Sequence, residues 1–291
     1  MPGDAGWFLG GHGHGPSALP QMLRFRLFLP QPFGFVMNVI HAWHLPLLLA
    51  TGFVAGFVDS IAGGGGLITL PVILSLGIPP RVALGTNKLQ ATFGSGSAAW
   101  HYARAGLISF HEVRRTFIFA LLGAAAGTIL VQHTDTLLLK KFIPIILLAV
   151  AIYLLLKPEM GQVARSPRMP PWAFDLLFGL GLGFYDGFIG PGTGTFWTMA
   201  FILMSGFTLT RATAATKMVN LASNISSLIL FLARGEVVIA AGLAMGAGQW
   251  LGARAGARVV VRRGFHLIRP IFLSVVILLV LKLLWEAFGA R

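Results

Sequence analysis

The chain has 291 residues, 56% hydrophobic and only 11% charged, where a soluble domain has roughly a quarter charged. Mean hydropathy is +0.79, and acid-free apolar runs such as 143–156 and 267–285 exceed what a water-soluble globule of this size can bury, so the chain reads as a polytopic membrane protein. Lys and Arg number 22 against 9 Asp and Glu, but the basic residues lie between apolar runs, as in cytoplasmic loops, which argues against nucleic-acid binding.

Residues 1–42 are expected to form a flexible or surface-lying tail. No basic stretch precedes an apolar core there, and Pro20, Pro30 and Pro32 break up the apolar residues around them. His12 and His14 lie on a Gly-rich stretch and are read as solvated rather than metal-bound. Zero Cys excludes disulfides, thiolate metal sites and a Cys nucleophile; no metal or cofactor site is expected.

From residue 43 onward apolar runs follow one another. A bilayer core of ~30 Å needs about 20 helical residues. Full-length candidates lie near 43–62, 85–103, 115–133, 140–156, 172–189, 213–233, 236–255 and 266–285. Two runs, near 67–77 and 195–206, are too short to span, and each follows a glycine-rich break. The expected fold is therefore all-α, with about eight full spans plus two short half-helices. Gly52/Gly56, Gly123/Gly127, Gly179/Gly183 and Gly248/Gly252/Gly256 have the small-xxx-small spacing that lets membrane helices approach closely.

The two halves resemble each other. Asp59, Gly63 and Gly65 align with Asp186, Gly190 and Gly192 at an offset of 127, and Lys88 aligns with Lys217 at an offset of 129. The division is a first transmembrane repeat over 43–157, a connecting loop over 158–171 and a second repeat over 172–291. Five segments per half would insert the second repeat inverted relative to the first. With ten crossings, Arg104, Arg114, Arg115, Lys157, Arg165, Arg168, Arg211, Arg254, Arg258, Arg262 and Arg263 fall on one side; Arg24, Arg26, Arg81, Lys140, Lys141, Arg234 and Arg291 fall on the other. The richer side is expected to be cytoplasmic, which places both termini in the periplasm.

Ionisable residues inside apolar segments cost roughly +2.5–3.5 kcal/mol each on insertion scales, so function is the default reading. Asp59 and Asp186 precede the two breaks, Gly63, Gly64, Gly65, Gly66 and Gly190, Pro191, Gly192, Thr193, Gly194. Non-helical backbone at membrane depth must be buried in protein or line a cavity. The short helix after each break aims free N–H groups and its positive dipole end at the break, which suits an oxyanion. The alternative is that the glycines only permit tight crossing. Lys88 and Lys217 can set a positive potential for the same anion, or can snorkel to the interface. Thr86, Asn87, Gln90, Thr216, Asn220 and Asn224 supply further donors, and Lys217, Asn220 and Asn224 share one helix face; hydrogen bonds between helices explain the Asn residues nearly as well. Asp59 and Asp186 are candidates for proton coupling, or for capping the breaks. Gly94-Ser-Gly-Ser97 with His101 raises an intramembrane hydrolase, but the spacing is not that of a nucleophile elbow.

Asp59–Gly66 with Pro71, Gly85-Thr86-Asn87-Lys88, and the second-half Asp186–Gly194 and Thr216-Lys217 resemble the TauE/SafE sulfite exporter family, also called the toluene sulfonate uptake permease family. The resemblance covers about residues 44–285. It implies a bacterial inner-membrane transporter of two related halves for small sulfur-containing anions such as sulfite, thiosulfate or organosulfonates. The second half has Ala214-Ala-Thr-Lys217 where the first has Gly85-Thr-Asn-Lys88, a departure from symmetry at the site. The expected function is a non-enzymatic secondary transporter, with proton coupling as a candidate feature; a passive anion channel or a membrane scaffold is the alternative.

Overall fold

A computed structural model describes residues 43–156, 166–263 and 285. The expected tail over 1–42, with His12 and His14, lies outside them. So do Lys157, Arg165 and nearly all of the expected span at 266–285.

The described chain is helical throughout. The first half gives α1 (His44–Ala62), α2 (Gly66–Ser75), α3 (Pro80–Arg104), α4 (Phe110–His133) and α5 (Thr136–Leu156). The second gives α6 (Pro171–Phe174), a π-helical turn (Asp175–Gly179), α7 (Leu180–Phe188), α8 (Thr193–Leu203), α9 (Leu209–Ala233) and α10 (Ile239–Arg263). Helices α1, α4 and α9 are long and apolar enough to cross a membrane, while α2 and α8 are apolar but short. The expected span at 172–189 is present but carries the π turn, which the apolar pattern did not signal. α3 opens with Pro80 at its first position, where a missing N–H costs nothing. α4 opens on a capping box between Ser109 and Glu112.

Polarity is distributed inside out. Leu47, Phe53, Ile118, Leu122, Ile129 and Leu130 are exposed, while α3 buries Asn87, Lys88 and Gln90, and α9 buries Lys217, Asn220 and Asn224. Trp43, Trp100 and Trp172 are exposed near helix ends, as interfacial anchors are. Such a surface matches lipid, with the polar groups turned to the interior.

The small-residue spacings mark the tightest crossings. A side chain at Gly52 or Gly248 would collide with the Met245 or Leu49 carbonyl, so α1 and α10 touch backbone to backbone. Gly123 and Gly183 do the same for α4 and α7. Between these outer pairs stand α3 and α9. Arg81, at the start of α3, meets Glu236 just beyond the end of α9, and Arg211, at the start of α9, meets Glu112 just beyond the end of α3. The two central helices therefore run antiparallel, and one Arg–Glu pair joins the halves at each end of the bundle.

Candidate functional site

Each short helix is set off by backbone that only glycine adopts readily. Gly63 and Gly64 have φ of 71° and 119°, Gly190 and Gly192 of 91° and 82°, in the region where a Cβ is strained. The two breaks touch. The Thr195 hydroxyl donates to the Ala62 and Gly63 carbonyls at 2.9 and 3.1 Å, and a methyl on Gly63 would strike the Gly194 backbone.

The ionisable groups pair across the halves. Lys88 Nζ donates to Asp186 Oδ1 at 2.7 Å and to the Asp186 carbonyl at 2.5 Å, with Asn224 Oδ1 at 3.4 Å. Lys217 Nζ donates to Asp59 Oδ2 at 2.8 Å. The lysine side chains are 2% and 0% exposed, so neither ammonium snorkels to an interface. Asp59 also holds its own break, because Oδ1 accepts from Gly64 N and Gly65 N, both at 2.9 Å. The four charges sum to zero, so the cavity is not electropositive by formal charge.

A cavity of about 40 Å³ lies where the breaks meet. It has room for a few heavy atoms, far below the 300–1,000 Å³ of a drug-sized site. Asp59, Gly64, Gly66, Asn87 and Lys88 line it from the first half; Asp186, Gly190, Gly192, Thr193, Gly194, Asn220 and Asn224 line it from the second. The other sequence candidates stand back. Lys217 is outside the lining and bonded to Asp59. Thr86 Oγ1 accepts from Val238 N, Thr216 meets Thr198, and the Pro191 carbonyl accepts from Tyr185. Gly63 and Gly65 lie outside the lining. Ala91 and Gln249 line the cavity and were not singled out from sequence; a lone amide in an apolar spanning helix was the available signal for Gln249.

The backbone donors are narrower than expected. Gly63 N donates to the Asp59 carbonyl, Gly190 N to Tyr185, and Thr193 N to Gly190. With Gly64 and Gly65 bonded to Asp59, the donors without an acceptor among the described residues are the N–H groups of Gly66, Gly192 and Gly194. All three residues are at the cavity wall, at the starts of α2 and α8. Gly192 and Gly194 are buried and Gly66 is half-buried; buried N–H groups are rarely orphaned, and free N–H groups at the starts of two helices suit anion oxygens. Asn87 adds an amide N–H, its Oδ1 being engaged by Thr69 at 2.5 Å and Gln90 at 2.8 Å. The hydrolase candidates have no such setting: Ser95 and Ser97 donate to the Ala91 and Trp250 carbonyls.

Residues 48–283 match the family model described as Sulfite exporter TauE/SafE. The chain is 44% identical over 244 residues to "Probable membrane transporter protein ORF9" of Sinorhizobium sp., covering 84% of this chain and 94% of that one. It is 42% identical over 242 residues to a "Probable membrane transporter protein" of Haemophilus influenzae (83% and 95% covered) and over 248 residues to "Probable membrane transporter protein YfcA" of Escherichia coli (84% and 92%). The inside-out polarity, the crossing helices and these matches converge: the chain belongs to the TauE/SafE sulfite exporter family and is a multi-pass membrane transporter.

Proposed function

We propose that this protein carries a small sulfur-containing oxyanion, such as sulfite or a sulfonate, across the bacterial inner membrane through the cavity between the two breaks. The observation that carries this reading is that three unpartnered N–H groups, from Gly66, Gly192 and Gly194, belong to residues lining one small cavity beside Lys88. The sulfur chemistry is taken from the family's name.

The ion pairs give the reading a coupling step. With both pairs ionised, an entering anion adds an uncompensated charge to a low-dielectric site, which is strongly unfavourable. A proton taken up with the anion on Asp186 removes one negative charge, frees the Lys88 ammonium for the anion and restores neutrality. Lys217 and Asp59 then hold the first break in shape. Antiparallel α3 and α9, and α2/α8 and α4/α10 at offsets of 127 and 129, support two inverted repeats rocking about a fixed central site. The Arg-rich end at Arg104, Arg114, Arg115 and Arg211 faces the cytoplasm and the termini face the periplasm.

Proteoliposome flux tests this directly. Lys88→Met is expected to reduce sulfite flux at least tenfold, and adding Lys217→Met to abolish it. Unchanged flux in the double variant removes both lysines from transport. An imposed proton gradient is expected to drive accumulation; flux indifferent to the gradient identifies an uncoupled channel.

A further inference from the structure

Asn87 is locked as a donor, because its oxygen is engaged by Thr69 and Gln90. Asn224 is engaged at both ends, its oxygen by Lys88 and its nitrogen by Ser95, and the remaining two amides at the cavity differ. Gln249, on α10, is 2% exposed, and Asn220 is 7% exposed. The side-chain oxygens of both are buried without a partner, and no described residue accepts from either amide nitrogen. Leaving a buried polar group without a partner is unfavourable, so these two amides favour a ligand that bonds them in the space they line. Gln249 is also held in place. Any side chain at Gly94 of α3 would collide with its amide oxygen, and any at Gly56 with its backbone. The aligned position in α4 is Ala120, so the first half contributes no equivalent, and Gln249 makes one wall of the site chemically distinct.

We infer that Gln249, with Asn220, reads a hydrogen-bond donor on the transported anion, so that the site selects a monovalent oxyanion carrying its own proton over one that only accepts. This rests on the oxyanion-transport reading above. Among the lining residues, Gln249 and Asn220 have amide oxygens without a partner and Asp59 and Asp186 have carboxylates; the donors are Lys88, Asn87, the three glycine N–H groups and the Asn220 amide nitrogen, which lies toward Gly194. A ligand with oxygens for the second set and an O–H for the first satisfies both. A dianion satisfies only the donors and brings a second charge to a set that is already neutral.

Binding of bisulfite and methanesulfinate to the purified full-length protein in detergent tests this, by calorimetry below neutral pH. The two probes are close in size and charge, but methanesulfinate has a methyl in place of the proton-bearing oxygen. Wild type is expected to bind bisulfite about tenfold or more tightly than methanesulfinate, since a site built to bond a hydroxyl rejects the analogue lacking one. Gln249→Leu is expected to bring that ratio close to one by weakening bisulfite alone. A second measurement needs no variant: raising the pH until bisulfite becomes sulfite is expected to weaken its binding to wild type relative to methanesulfinate at each pH. Equal affinity of wild type for the two probes, equal losses for both in Gln249→Leu, or no divergence with pH overturns the inference and leaves oxyanion transport standing. Absence of binding for every oxyanion, with no flux, overturns both readings together.

Discussion

The two breaks share a plan and differ in how their carboxylates are used. Asp59 accepts two N–H bonds from its own loop and one from Lys217 across the halves, at 19% side-chain exposure. Asp186, at 6%, is met by Lys88, while its loop is pinned by Tyr185, whose carbonyl accepts from Ile189 and Gly190 and whose hydroxyl donates to Pro191. One carboxylate builds its loop; the other is free of that duty and faces the cavity with its lysine. The transport reading proposed above needs one side chain that can change partners without collapsing the site, and this contrast favours Asp186.

The largest effect comes from removing the builder. Asp59→Ala strands a buried ammonium, worth about 3–5 kcal/mol, and orphans two N–H groups at about 1–3 kcal/mol each. Asp186→Ala strands only Lys88. Thermal unfolding in detergent is therefore expected to show the Asp59 variant as markedly the less stable; equal losses erase the contrast. Next, Asp186→Asn is expected to leave the protein folded and anion flux measurable but no longer responsive to a proton gradient, whereas retained gradient-driven accumulation moves coupling elsewhere.

Smaller effects lie at the bundle ends. Burial pushes the Glu236 carboxyl up from its ordinary value of 4.5, while Arg81, Gln132 and Arg234 pull it down without prevailing. The folded state thus binds this proton more tightly than the unfolded chain, and stability from this group falls as pH rises through the window from 4.5 to the raised value. Melting temperature against pH is expected to show this decline in wild type and lose it in Glu236→Gln; identical slopes contradict it. At the opposite end Arg211 and Glu112 are 46% and 36% exposed, so Glu112→Gln, which keeps the capping geometry, is expected to change stability by no more than about 1 kcal/mol.

Much of this was legible in the order of residues alone. Glycine runs in apolar sequence, each preceded by Asp and followed by a short helix, announced the breaks, and small-residue spacings announced the backbone crossings at Gly52 and Gly123. Asp59 as a cap followed from its place before four glycines. The cross-pairing was not legible, because Lys88 and Asp186 are 98 residues apart and Lys217 and Asp59 are 158 apart, and local spacing carries no record of how two halves interlock. For the same reason Lys217 looked equivalent to Lys88, although only Lys88 lines the cavity. Thr86 looked like a site donor because it neighbours Asn87, yet one residue is about 100° of helix rotation, enough to turn its hydroxyl to the loop before α10. Gln249 was hidden in a run of Gly and Ala that reads as packing.

The central claim is that the meeting point of the two breaks holds an oxyanion, and locating selenite by its anomalous scattering in crystals of the intact protein tests it most directly. The expected result is selenium density between α2 and α8, with oxygens within hydrogen-bonding distance of the Gly66, Gly192 and Gly194 N–H groups. Ordered selenite bound elsewhere, with those three N–H groups still unpartnered, would contradict it.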